Sequence, residues 1–143
     1  MQVLPVSNQT SQWLRLAVKQ AQMSSCVYRH GVVVLRGGRV VGTGFNIVQN
    51  DPALGLSTCT THAEKVALRR ASWDGTHLIV VRLRQDGSLA PSAPCVECAE
   101  LIERAGINTI IYSVNNGIEL VRTRDLRTVQ HHSYANLSRC LVA

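Results

Sequence analysis

Apolar and polar positions along the chain fall into two rhythms. Trp13, Leu14, Ala17, Val18 and Ala21 recur at three- and four-residue spacing, the buried stripe of an amphipathic helix. Thr10 or Ser11 can cap its free N–H groups, and Ser24-Ser25 weakens its far end. Residues 1–9 carry no such pattern and read as a lead-in. Tyr28 to Leu35 predicts a central strand, with an unbroken apolar run from Gly31 to Leu35. Gly37-Gly38 supplies a turn and Arg39 to Asn46 returns as a second strand, a hairpin. Ile47 to Thr60 holds the turn formers Asn50, Asp51, Pro52 and Gly55 without a clean period, which predicts a long loop.

His62 to Ser72 predicts a second helix, with Ala63, Val66 and Ala67 inward and Lys65, Arg69 and Arg70 outward. Trp73-Asp74-Gly75 ends it, and His77 to Arg84 follows as a third strand. A loop closed by Pro91 and Pro94 leads to a third helix opening at Cys95 and stopping at Gly106. Ile107 to Val114 and Ile118 to Thr123 are strands four and five, joined by Asn115-Asn116-Gly117. So short a turn makes them antiparallel, because parallel neighbours need a crossover of about a dozen residues. The tail from Arg124 to Ala143 has room for a terminal helix. This order predicts one domain over 1–143, a three-layer α/β fold whose mixed five-stranded sheet is covered by helices.

Composition narrows the setting. No apolar run approaches the ~20 residues of a membrane span, so no membrane partner is expected. The start, Met1-Gln2-Val3-Leu4-Pro5, has no basic region and no long apolar core. A cytoplasmic location is therefore expected, with the nucleus as the alternative. Five Cys, two of them in a C-x-x-C, fit metal binding in a reducing compartment better than a disulfide framework. Fifteen Lys and Arg against nine Asp and Glu give +6, which favours an anionic partner, a nucleotide phosphate or a polynucleotide.

Two short stretches concentrate the chemistry: His62-Ala63-Glu64 and Pro94-Cys95-Val96-Glu97-Cys98. One imidazole and two thiolates are zinc donors by type, and three protein ligands leave a tetrahedral position open, as catalytic zinc requires. Both stretches begin helices, where the dipole favours a thiolate. One Zn2+ per chain is expected, held by His62, Cys95 and Cys98. Glu64 lies close enough to serve a zinc-bound water without ligating the metal. Such an ion can lower the pKa of water from ~15.7 to about 7. The alternative is a closed Cys3His structural zinc made by Cys59-x-x-His62 and Cys95-x-x-Cys98, a non-enzymatic module. Glu64 and Pro94 would have no purpose there. Glu97 is predicted to face solvent, Cys26 and Cys140 to be small buried hydrophobes, and His30 and His77 to be structural. His131-His132 falls in an exposed tail.

The H-x-E and P-C-x-x-C pair resembles the signature of the cytidine deaminase superfamily, the zinc nucleobase deaminases, across about residues 10–123. The resemblance implies a cytidine deaminase-like fold and release of ammonia from the amine-bearing carbon of a base, C4 of cytosine first. Glu64 would be base in one step and acid in the next. In Gly44-Phe45-Asn46 it implies that Asn46 contacts sugar or base. Ala63 and Phe45 join it as substrate-binding candidates, Phe45 as a stacking ring. A free (deoxy)nucleoside or nucleotide is the expected small-molecule partner, and a homo-oligomer the expected assembly. Subfamily marks divide. The final antiparallel hairpin resembles the free-nucleoside enzymes, while a His as first ligand is shared by deoxycytidylate, guanine and tRNA-adenosine deaminases. Ser92-Ala93-Pro94-Cys95 is similar to the S-P-C stretch of editing enzymes. With the basic charge it supports single-stranded DNA or RNA as the alternative substrate, although two Trp, three Tyr and one Phe are few for stacking on bases.

Overall fold

The computed structural model describes residues 2–3, 8–51 and 56–129. In chain order the elements are β1 (Gln2–Val3), α1 (Asn8–Met23), β2 (Arg29–Arg36), β3 (Arg39–Phe45), β4 (Ile47–Asp51) and β5 (Leu56–Thr61). Next come α2 (Ala63–Arg70), β6 (His77–Leu83), β7 (Leu89–Ala90), α3 (Val96–Arg104), β8 (Thr109–Val114) and β9 (Gly117–Arg122). A 3-10 helix over Thr123–Val129 ends the described chain, and the rest of the tail, with His131, His132 and Cys140, lies outside the described residues.

The main sheet runs β1-β9-β8-β6-β2-β3, with β7 also paired to β6. It is mixed: β6 and β8 are parallel, and the other pairs are antiparallel. The five expected strands are its centre, and two more make seven. β1 pairs with β9 at Gln2↔Leu120, and β7 with β6 at Arg82↔Ala90. Strands of two residues are too short to leave a period-two pattern. The turn between β8 and β9 places Asn116 at φ 58°, a left-handed conformation that Asn tolerates.

Ile47 to Thr60 is not the long loop its residues predict. β4 and β5 pair antiparallel as a separate two-stranded sheet, with a register slip between Gln49 and Asp51. The ribbon is held by its backbone ladder. Its second strand, Leu56-Ser57-Thr58-Cys59-Thr60-Thr61, has β-branched Thr but no apolar alternation to announce it.

Alternation along β2 and β6 divides the core. Val32, Val34, Leu78 and Val80 pack with Ala63, Ala67 and Leu68 of α2 and Ile102 of α3. Val33, Leu35, Ile79 and Val81 pack with Ala17 and Ala21 of α1. These are the three layers, with α1 on one face and α2 and α3 on the other. α2 rests directly on the β3 backbone, since a Cβ on Gly42 would lie 2.4 Å from the Ala67 carbonyl oxygen and one on Gly44 2.7 Å from the Ala67 nitrogen. β2 is antiparallel to both β3 and β6, so β3, β6 and β8 run the same way. The first turns of α2 and α3 follow the C-terminal edge of these strands, the edge at which open α/β sheets hold their ligands.

Candidate active site

His62 and Cys95 occupy the N-cap positions of α2 and α3, one residue before each helix rather than within it. Both have extended backbones, with φ −64° and ψ 145° at His62 and φ −69° and ψ 169° at Cys95. Cys98 follows in the first turn of α3. The His62 Nδ1 lies 3.0 Å from the Cys98 Sγ and 3.7 Å from the Cys95 Sγ. The three donor atoms all fall within 4.8 Å of one another. Tetrahedral zinc, with Zn–N about 2.0–2.1 Å and Zn–S about 2.3 Å, separates N from S by about 3.5 Å and S from S by about 3.8 Å. One nitrogen and two soft sulfurs at these separations fit the ion. Both thiols are buried and the imidazole is half-buried. The Cys59 side chain, the fourth donor of the closed alternative, lies outside the described residues.

Glu64, only 5% exposed, sits in the first turn of α2. Burial pushes its carboxyl above the usual range, His62 pulls it down, and Cys95 pushes it up again. The Cys95 thiol is lowered to about 4, chiefly by hydrogen bonding to Cys98, against the opposing effect of burial and with help from His62. A thiolate and a carboxyl that readily holds a proton therefore stand side by side, the kind of split that acid–base chemistry uses.

Asn46 is buried and its amide is a clamp. Its Oδ1 accepts from the Ser24 hydroxyl at 2.7 Å and the His30 N–H at 2.9 Å, and its Nδ2 donates to the Tyr28 carbonyl at 2.6 Å. Its own carbonyl accepts from the Ser24 hydroxyl at 2.9 Å and the Cys26 thiol at 3.5 Å. Cys26 is thus half-buried against Asn46 rather than fully buried. Ala63 is buried in the core beside Ala67 and Leu68. Phe45 is not brought to the donors. It pairs with Gly31, whose added Cβ would meet Ala17 and Ala21 of α1, so Phe45 belongs to the α1 face. The alternation that turns Gly42 and Gly44 towards α2 sends Phe45 the other way. Glu97 is exposed, as its position predicts. His77, at the opposite end of β6, has its Nδ1 2.9 Å from the Thr76 hydroxyl.

Three residues near the site carry more than their sequence context shows. The His30 Nδ1 is 3.2 Å from the Tyr28 carbonyl, which only accepts, so this nitrogen carries the proton. Burial lowers the His30 pKa to about 4, with Arg82 and His62 adding to the effect, so the ring is neutral. The Arg82 guanidinium lies 5.2 Å from the centroid of the Tyr28 ring. Counting alternate residues from Val80 would have placed Arg82 on the α2 and α3 face.

The model for the cytidine and deoxycytidylate deaminase zinc-binding region matches residues 7–114. Deoxycytidylate deaminase of Saccharomyces cerevisiae is 31% identical over 121 residues, which are 72% of this chain and 36% of the yeast protein. The chain thus spans little more than a third of that relative's length. Among solved structures, cytidine deaminase from Burkholderia pseudomallei superposes with a TM-score of 0.62 at 17% identity, covering 81% of this chain and 94% of that one. The dCMP deaminase of the cyanophage S-TIM5, in complex with dCMP and dUMP, gives 0.58 at 20% identity over 86% of this chain and 90% of its own. Identities this low establish the fold, and the family match rests on the sequence span that contains both donor stretches. By that match the chain belongs to the cytidine and deoxycytidylate deaminase family.

Proposed function

We propose that this chain is a hydrolytic deaminase acting on cytosine in a free nucleoside or nucleotide. The observation that carries this reading is the buried Glu64 in the first turn of α2, beside His62, whose ring converges with two thiols. The yeast relative is named for deoxycytidylate, and the cyanophage structure contains dCMP and dUMP, which supports a cytosine nucleotide. His62, Cys95 and Cys98 would hold zinc, which supplies a Lewis acid that lowers the pKa of water towards neutrality. The remaining steps belong to the chain. Glu64 takes the proton of the attacking water, passes it to the ring nitrogen and then helps the amine leave as ammonia. In the metal-free chain burial raises the carboxyl above its ordinary range, so it gives up a proton less readily than an exposed glutamate. The low pKa of Cys95 keeps that donor a thiolate at neutral pH. Asn46 both holds the rim and contacts substrate, because an amide has two N–H donors and the Tyr28 carbonyl accepts from one.

The test is ammonia release by zinc-loaded protein from cytidine, deoxycytidine, their monophosphates, guanine and cytosine-containing oligonucleotides. Release from the free cytosine compounds is expected, and release from guanine or oligonucleotides alone would overturn the substrate. Glu64→Gln is expected to keep one zinc and lose roughly 10²- to 10⁴-fold in kcat. A Glu64→Gln protein with undiminished turnover would overturn the assigned role.

A further inference from the structure

β6 and β8 pair with each other only as far as Val80↔Tyr112. Beyond that point β7 pairs with β6, with Ala90 opposite Arg82. The chain from Ala90 to Ser92 thus lies between the two strands and is bonded to both. Backbone groups buried there must find partners. Ser92 and Ser113 supply them, at 4% and 0% exposure. The Ser113 hydroxyl accepts from the Arg82 N–H at 3.0 Å and lies 2.6 Å from the Ala90 carbonyl oxygen. The Ser92 hydroxyl accepts from the Ser113 N–H at 2.8 Å and lies 2.9 Å from the Val80 carbonyl oxygen. The Ser92 N–H donates to the Ser113 carbonyl at 2.9 Å.

The two hydroxyl oxygens are 2.7 Å apart. Carbonyls only accept, so one hydroxyl donates to the other and the second to a carbonyl. The serines therefore form one chain of bonds, and removing either strands the other. An apolar pair would fill the same space and leave buried backbone groups unmet, which is costly. Three residues beyond Ser92 stands Cys95. Between them Ala93 packs against the core under α2 and α3, and Pro94 is buried. Proline fixes its own φ near about −65° and confines the residue before it, so Pro94 restricts Ala93 as well. Few rotations remain by which Cys95 could swing away from the anchor. Its side chain makes no cap bond to α3, so the entry to that helix leans on the residues before it.

We propose that Ser92 and Ser113 are one positioning pair, which fixes the entry to α3 so that the Cys95 thiol meets His62 and Cys98 at metal-binding separation. The inference rests on the reading of these three residues as zinc ligands and adds their support from the sheet. Neither serine is a catalytic residue, since both act through the backbone.

The test measures zinc Kd by chelator competition, the thiolate–cobalt absorption bands of Co2+-loaded protein, and urea midpoints. In Ser92→Ala zinc is expected to bind about ten- to a hundredfold more weakly, the loss typical when the supports of metal ligands are removed. The cobalt bands are expected to shift, because the Cys95 sulfur is displaced. Ser113→Ala is expected to do the same, and the double variant to bind no more weakly than Ser92→Ala alone. Val33→Ala, in the core against α1, is the control. It is expected to lower the urea midpoint and to leave the zinc Kd and the cobalt bands unchanged. An unchanged Kd and unchanged bands in folded Ser92→Ala would overturn the proposal and leave the metal reading standing. Losses that multiply in the double variant, or an equal loss of zinc binding in Val33→Ala, would overturn it too. Wild-type protein that takes up no zinc overturns the metal reading itself, and the proposal with it. If neither serine variant folds, amide exchange in the wild type decides. The Ser92 and Ser113 N–H groups are expected to exchange slowly with and without zinc. Fast exchange without zinc that slows with it would mean that the metal orders this segment, and would overturn the proposal.

Discussion

At Glu64, burial and a neighbouring imidazole pull one carboxyl in opposite directions, and burial prevails. A carboxyl raised above its ordinary 4.5 holds a proton in the folded chain that the unfolded chain has already released. That contribution is complete below the unfolded value and is lost as pH rises towards the folded one. In the metal-free protein Glu64→Gln removes the titration, so the variant is expected to be more stable than wild type near neutral pH. The gap should narrow as pH falls towards about 4.5 and be closed below it. Urea midpoints across a pH series check it, and a gap independent of pH would mean that the carboxyl is well solvated. The four residues His62, Glu64, Cys95 and Cys98 were legible because each stretch lies within about one helical turn, so spacing alone nearly fixes its geometry. Asn46 was legible only as a polar residue at a strand end. Its partners Ser24 and His30 lie 22 and 16 positions away, and no local pattern connects them.

Among the elements, α2 depends most on its support. Gly42 and Gly44 let it touch the backbone of β3, and the helix carries His62 at its start. Gly42→Ala would push a methyl against the Ala67 carbonyl, a backbone group that cannot swing aside. The expected cost is about 1–3 kcal/mol, with weaker zinc binding because the helix must shift. Val40→Ala on the same strand, where the side chain is 44% exposed, is expected to change stability by less than about 0.5 kcal/mol. Urea midpoints and zinc titrations separate the two outcomes. The strands β2, β3, β6, β8 and β9 could be read from apolar runs and turn residues. β4 and β5 could not, because their pairing lies in the backbone, and neither could the face of Phe45, which depends on register.

For the whole molecule, the donors come from the starts of two helices, α2 and α3, brought together in the folded chain. Zinc that binds the folded chain and not the unfolded one adds stability by mass action, about 4 kcal/mol at a thousandfold excess over Kd. Stripping it with a chelator is expected to lower Tm by roughly 10 °C or more, and Cys98→Ser to abolish most of that response. Scanning calorimetry with and without chelator measures both. The order of elements and the three layers were legible from the chain, whereas the meeting of Arg82, Tyr28 and His30 was not, since strand pairing creates it. His62 and Cys95 stand where a Ser or Asp would ordinarily tie down the first amides of a helix, and neither makes a side-chain cap bond. Reactive groups thus occupy the natural mooring points of two helices. With no ion at the donors, the protein is expected to loosen first at the starts of α2 and α3, while the strands beneath keep their shape.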